Sequence, residues 1–137
     1  MFSHVMLGAN DVAASKAFYD AALAPLGVPA GVVDELGRAV YARGGGRFVI
    51  RTPLDGEDAC GANGGTLGFQ APSTEAVDAF HAAGLAAGGT AIEDPPGPRN
   101  ARSCSATTKP SLVASMMLKR CLVVSDLLSE SKKQKLW

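Results

Sequence analysis

The sequence predicts a single α+β domain in which one strand-helix unit occurs twice. The chain has 137 residues, 47% hydrophobic and 19% charged, which is typical of a globular domain. Short apolar runs alternate with helical patterns that begin at capping residues, and the first such unit recurs 62 residues later. We therefore expect one domain over residues 1–137, with a first module at 1–58 and a second at 62–125.

The first module is predicted to be a strand, a helix and three strands. A strand over 3–7 precedes a helix from Val12 to about Leu26, for which Asp11 offers an N-cap and Gly27 a C-terminal stop. The three following strands, separated by glycine-containing turns, cover 31–34, 38–43 and 47–52.

The second module repeats the opening of the first. A strand over 66–71 and a helix over 74–87 follow each other, with Ser73 as N-cap and two glycines at the end. The matched pairs include both caps, the aromatic residue, a leucine and the stop glycine: Asp11 and Ser73, Phe18 and Phe80, Leu23 and Leu85, Gly27 and Gly89.

The opening strands of the two modules have matching faces. Large apolar residues (Val5 and Leu7, then Leu67 and Phe69) share one face, which we expect to pack on the helices. The other face is small or polar and either lines a cleft or is an ordinary solvated surface. Its residues are His4, Met6, Gly8, Thr66, Gly68 and Gln70.

The composition changes after Gly97. Residues 1–98 carry a net charge of −6 and residues 99–137 carry +6, while all 16 glycines lie at or before Gly97. We hypothesise that a different reading frame encodes the chain from about this point. Two apolar runs, 112–118 and 121–124, are compatible with a hairpin, and one helix over 112–128 fits equally well.

Other features of the sequence argue against a membrane protein, a secreted protein and a cysteine-based metal or redox site. Prolines and glycines interrupt the longest apolar stretch, so we expect no membrane span. The first residues lack the features of a signal peptide, and the three cysteines have no metal or redox spacing. An odd number of cysteines argues against a disulfide framework, so we expect a cytoplasmic protein. The net charge of zero suggests partners that are neither nucleic acids nor membranes.

Several segments resemble the vicinal-oxygen-chelate superfamily, which includes glyoxalases, bleomycin-resistance proteins and dioxygenases. Residues 4–11 and 15–19 resemble its opening strand and helix, 63–69 and 77–81 the opening of its second module, and 93–97 a later connector. The resemblance covers residues 1–97. It implies paired βαβββ modules that form curved mixed sheets around a cleft, in a homodimer.

The resemblance also implies a divalent metal in the cleft. His4 stands at the first ligand position, but Thr66 stands where a histidine is usual and Val49 where a glutamate or glutamine is expected. The fourth position lies in a final strand that is not recognisable. Since one imidazole does not make a divalent site, His4 is either a ligand or a polar strand residue bonded to backbone or water.

Other residues are candidates for binding a small molecule. Arg47 and Arg51 share a strand face with Val49 and either bind an anionic ligand or are simply exposed. Tyr41 either stacks on a ligand or fills the core. Thr66 and Gln70 complete the predicted substrate-binding set.

Three functions are compatible with these features. The first is a member of the superfamily that binds a small molecule in the sheet cleft, with its reaction undefined. The second is a metal-dependent lyase or dioxygenase. The third is a non-catalytic protein that sequesters a drug, against which the low aromatic content of 6% argues mildly.

Overall fold

The chain has an α+β architecture in a computed structural model that describes residues 2–61, 65–91, 96 and 113–118. The first helix continues into a 3-10 turn at Ala24–Leu26. The strands are β1 (His4–Gly8), β2 (Val32–Val33), β3 (Ala39–Arg43), β4 (Gly46–Arg51), β5 (Gly65–Gln70) and β6 (Val113–Leu118), and the helices are α1 (Val12–Leu23) and α2 (Thr74–Ala86).

Helix α1 begins as predicted and ends earlier. Asp11 caps it, because its carboxylate accepts a hydrogen bond of 2.8 Å from the Ala14 N–H. The α-helix ends at Leu23 rather than near residue 26, since Pro25 has no N–H for the next helical bond. Gly27, at a φ of 75°, then turns the chain out of the helix.

The first module forms a mixed four-stranded sheet in the order β1-β4-β3-β2, with β1 parallel to β4 and the other pairs antiparallel. Gly44 and Gly45 have φ values of 59° and 84°, which a two-residue hairpin turn requires. Asp34 organises the turn before β3, because its carboxylate accepts 3.0 Å hydrogen bonds from the N–H groups of Leu36 and Arg38.

Helix α1 packs on one side of this sheet, and α2 packs on α1 and on β6, so that residues of both helices belong to one core. Leu23 and Ile50 are among the largest fully buried side chains. Aromatic rings connect the modules: Phe48 and Phe69 have centroids 5.5 Å apart, and Phe69 and Phe80 6.2 Å apart. The predicted inward face of the opening strands is confirmed for Leu7, Leu67 and Phe69, which pack against this core, while Val5 is half-buried and outside the cluster.

The 62-residue repeat holds at the helix starts and shifts by one residue at the helix ends. The Ser73 hydroxyl accepts from the Ala76 N–H, as Asp11 does in α1. The left-handed glycine after α2 is Gly88, at a φ of 93°, and not Gly89. The pairing of Gly27 with Gly89 is therefore wrong, because Gly89 instead donates its N–H to the Gly84 carbonyl, 2.8 Å away.

The second sheet pairs β5 with β6 in antiparallel register, Gly65 opposite Leu118. The alternative of one helix over 112–128 is therefore wrong across 113–118, where the extended backbone completes a ladder with β5. The second strand of the predicted hairpin, at 121–124, lies outside the described residues. None of the described helices is long and apolar enough to cross a membrane.

Candidate functional site

The candidate site is the helix-free face, by which we mean the side of the β1–β4 sheet that points away from α1. Tyr41, Phe48 and Ile50 lie on the opposite side, in the core shared with the helices. Because side chains alternate along a strand, their sequence neighbours project from the helix-free face. His4, Arg47 and Arg51 all belong to this face. The sequence predicted that Arg47 and Arg51 share one face of their strand and that His4 lies on the polar face of β1.

An apolar row crosses the middle of the helix-free face. The strand register places Val32 beside Val40, Val40 beside Val49, and Val49 beside Met6. Val49 is only 7% exposed although it lies outside the core cluster, so side chains of the helix-free face cover it. Val32 and Met6, at the two ends of the row, are 69% and 41% exposed.

Basic side chains flank this row on both sides. On one side, Arg47 is the direct partner of His4 in the parallel ladder. On the other side, Arg51 lies opposite Gly8, and Arg38 has the same strand parity as Val40. The helix-free face is therefore an apolar stripe between two basic edges.

The three arginines of the helix-free face differ in their partners. Arg38 forms an ion pair with Asp34, with 2.6 Å between Nη2 and Oδ2, and Arg51 Nε donates to the Thr52 carbonyl over 2.9 Å. The Asp34 carboxyl has a pKa below its usual value, chiefly because Arg38 donates to it from its side chain and backbone. The Arg47 guanidinium is exposed and has no hydrogen-bond or ion-pair partner within the described part of the chain.

A shallow depression of about 430 Å³ opens on the helix-free face. Val32, Val40 and Ala42 form its apolar part, with Arg47 at one end. Polar and loop residues complete its lining: Pro29, Ala30, Asp34 and Arg38. The sequence indicated Arg47, but it missed the others because the pairing of β2 with β3 and of β3 with β4 is what brings them together.

The predicted residues of the second module lie on another sheet. Thr66 and Gln70 are exposed on β5, on the same strand face as Gly68. No contact among the described residues joins these two side chains to Arg47 or Arg51. Arg43 links the first sheet to the end of β5, since its guanidinium donates to the backbone carbonyl of Gln70 at 3.4 Å. It also donates to the carbonyl of Leu26.

Tyr41 lies in the core, 3% exposed, rather than on the helix-free face. Its hydroxyl donates to Asp20 Oδ1 at 3.0 Å and contacts the Lys16 carbonyl oxygen at 3.1 Å, and its ring stacks on Phe48. Burial, and then the Asp20 carboxylate, raise the pKa of this phenol. Of its two interpretations, the structure shows the core residue, because Tyr41 has the strand parity of Ala39 and not of Val40.

The described neighbours of His4 are Ser3 and Arg47. Ser3 Oγ lies 2.9 Å from His4 Nδ1, within hydrogen-bond distance. Arg47, the ladder partner of His4, brings positive charge to the position where a cation would bind. No group of three or more His, Cys, Asp or Glu side chains occurs among the residues with described positions. The role of His4 as a ligand stays a prediction.

Comparison with known proteins identifies the family. No family model matches the chain, and no curated protein matches it. Among solved structures, it is similar to a glyoxalase/bleomycin resistance protein from Albidiferax ferrireducens T118, with 55% sequence identity and a TM-score of 0.69. The match covers 72% of this chain and 79% of that one. The sequence resemblance and the α+β fold prediction are thus confirmed, and the chain belongs to the glyoxalase/bleomycin resistance protein family.

Proposed function

We propose that this protein binds a small organic molecule on the helix-free face, without the help of a metal. The observation that carries the proposal is the depression of about 430 Å³ between Val32 and Arg47. Ligand sites are concave and mostly apolar, with a few polar groups that orient the ligand. The apolar floor and the Arg47 guanidinium, for which the described residues supply no partner, fit this description.

An exposed valine pair on β2 tests the proposal. Val32 and Val33 are adjacent and 69% and 55% exposed, but Val32 lines the depression and Val33 points to the other side of the sheet. We expect saturable binding of the fluorescent probe 8-anilinonaphthalene-1-sulfonate, weakened about threefold or more by Val32→Ser through lost apolar contact.

The matched control is Val33→Ser, which should leave the probe affinity unchanged. Equal weakening by both substitutions, or fluorescence that never saturates, would show that the probe does not occupy this depression and would contradict the proposal.

The metal-dependent alternative, a lyase or dioxygenase, predicts a different result. Elemental analysis of the purified protein should find no stoichiometric manganese, iron, nickel or zinc in the wild type or in His4→Ala. A tightly bound divalent ion that is lost in His4→Ala would restore the metal-site prediction and overturn the metal-free proposal.

We also propose that the protein acts in the cytoplasm as a homodimer, with a small molecule rather than a nucleic acid or a membrane as its partner. The support is the family membership and the balanced charge of the chain. Light scattering should give twice the monomer mass, and a monomer at micromolar concentration would contradict the dimer.

A further inference from the structure

We propose that the ligand of the helix-free face is an extended or flat apolar molecule with one carboxylate group, which Arg47 binds. This inference rests on the proposed function and adds the chemical class of the ligand to it. Three observations carry it: the distribution of the cations, the direction of the apolar row, and the ion pair that holds the carboxylate in the depression.

The cations of the first module are concentrated on this face. Residues 1–98 contain five basic residues and a net charge of −6. Three of the five, Arg38, Arg47 and Arg51, belong to the helix-free face. The other two are engaged elsewhere, Lys16 with Asp20 and Arg43 with backbone carbonyls. An otherwise acidic segment therefore presents a basic surface here, which attracts an anion.

Among these cations, Arg47 is the one that can bind a ligand without losing an existing partner. Its guanidinium is exposed and lines the depression, whereas Arg38 is held by Asp34 and Arg51 by the Thr52 carbonyl. A guanidinium presents a planar pair of N–H donors that matches the two oxygens of a carboxylate. His4, the ladder partner of Arg47, adds a second polar group on the same edge.

The apolar row determines the shape of the rest of the ligand. Neighbouring strands lie roughly 4.8 Å apart, so the row from Val32 to Met6 spans about 14 Å across four strands. Val32 and Val40 of this row line the depression, and Ala42, two residues further along β3, lies opposite Arg47 at the side of the row. A bicyclic aromatic or an extended aliphatic body covers such a surface, with its carboxylate at the side that carries Arg47.

Asp34 does not repel the carboxylate of the ligand. This side chain lines the depression on the side away from Arg47, and its negative charge is offset by the ion pair with Arg38, with 2.6 Å between Nη2 and Oδ2. The depression therefore presents no unpaired negative charge among its described lining residues. It favours the anionic over the neutral form of one molecular body.

Isothermal titration calorimetry with two naphthalene probes tests this preference on the full chain. We expect 2-naphthoate to bind at least about tenfold more tightly than 2-naphthamide, because the amide lacks the charge that Arg47 recognises.

Two arginine variants test whether Arg47 causes the preference for the carboxylate probe. Arg47→Gln should remove the preference for 2-naphthoate over 2-naphthamide. Arg51→Gln removes the same charge from the same strand and face, but Arg51 does not line the depression, so the preference should survive there with a reduction of about threefold at most. A preference that is lost equally in both variants, or unchanged in Arg47→Gln, would overturn the role of Arg47.

The wild-type titrations separate failure of this inference from failure of the proposed function. If 2-naphthoate and 2-naphthamide bind with equal affinity, the carboxylate preference is wrong and the binding function stands. If neither probe binds, both the carboxylate preference and the binding function are wrong.

Discussion

The two modules begin alike and differ in what completes them. Both helices start after a capping side chain that accepts from the N–H three residues ahead, at 2.8 Å in α1 and 3.2 Å in α2. Phe18 and Phe80, a matched pair, are both buried, at 3% and 6% exposure. The repeat in the sequence is therefore a repeat in the structure over its strand and most of its helix.

Beyond that point the modules diverge. Strand β1 has a parallel neighbour within a four-stranded sheet, whereas β5 has an antiparallel neighbour in the described part of the second sheet. The matched leucines follow this difference, since Leu23 is 1% exposed and Leu85 is 44% exposed. Helix α1 lies against β3 and β4, whereas the following strand described against α2 is β6.

Truncation of the matched leucines should give the largest difference in stability between variants of the two modules. We expect Leu23→Ala to lower the free energy of unfolding by about 2–5 kcal/mol, because it leaves a cavity in the core. Leu85→Ala should lower it by less than Leu23→Ala does, by about 1 kcal/mol, because nearly half of the Leu85 side chain is already exposed. Urea denaturation measures both, and an equal loss would contradict the difference in burial.

Ala22 and Gly84 are a second matched pair, and exchanging alanine and glycine at these positions should change the stability in opposite directions. Ala22 is 0% exposed in α1, and Ala22→Gly should destabilise by about 1–2 kcal/mol through lost helix propensity and a lost methyl contact. Gly84→Ala should stabilise α2 by up to about 1 kcal/mol, since the new Cβ would lie 4.0 Å from Phe18 in ordinary contact. Thermal unfolding reports both, and destabilisation by Gly84→Ala would show that the packing against α1 is tighter than described.

The helix caps should behave alike, because this part of the repeat is conserved in geometry. Asp11→Ala and Ser73→Ala should each lower the free energy of unfolding by about 1 kcal/mol, since each removes the acceptor for an N–H in the first turn. Chemical denaturation of the two variants side by side is the measurement. A loss confined to Asp11→Ala would mean that α2 contributes little to cooperative unfolding.

The smallest effect is a pH dependence of stability that comes from Asp20, a residue with no acidic counterpart at the matched position of the second module. Burial raises the pKa of Asp20, but hydrogen bonds from Lys16, the Gly31 N–H and Tyr41 outweigh it and hold the pKa below its usual 3.8. The unfolded chain therefore binds more protons than the folded one in this range, so stability is full well above pH 3.8 and falls as pH drops through it. The matched position in α2 is Ala82.

Unfolding experiments between pH 3 and 6 test this. Asp20→Asn should flatten the acid branch of the stability profile, and Tyr41→Phe should begin the loss at higher pH, because one of the three donors is gone. A wild-type profile identical to that of Asp20→Asn would contradict the role of the carboxylate.

Much of the first module could be predicted from local signals, such as the caps, Gly27 and the glycine turn of the β3–β4 hairpin. Alternation along β4 was enough to place Arg47 and Arg51 on one face. The depression could not be predicted, because it depends on which residues of β2, β3 and β4 become neighbours, and register is set by pairing over the whole sheet. Tyr41 could not be assigned to a face for the same reason.

The second module was less predictable because β5 pairs with a segment that does not resemble the family. Residues 113–118 form a strand, but two equally good patterns, a hairpin and a helix, were present in their sequence. The hypothesis of a changed reading frame stays a prediction. It covers both a natural and an erroneous frameshift near residues 97–102. Mass spectrometry of the protein from its native source would contradict it by finding the tail peptides in an intact, folded product shared with relatives.

The central claim is that the ligand binds the helix-free face of the first module and not the corresponding face of β5. The most direct test is a ¹H–¹⁵N correlation spectrum of the full chain, titrated with 2-naphthoate. The account predicts saturable shifts of the backbone amides of Val40, Arg47 and Val49, with those of Thr66 and Gln70 unmoved. Shifts confined to Thr66 and Gln70, or spread evenly over both sheets, would contradict it.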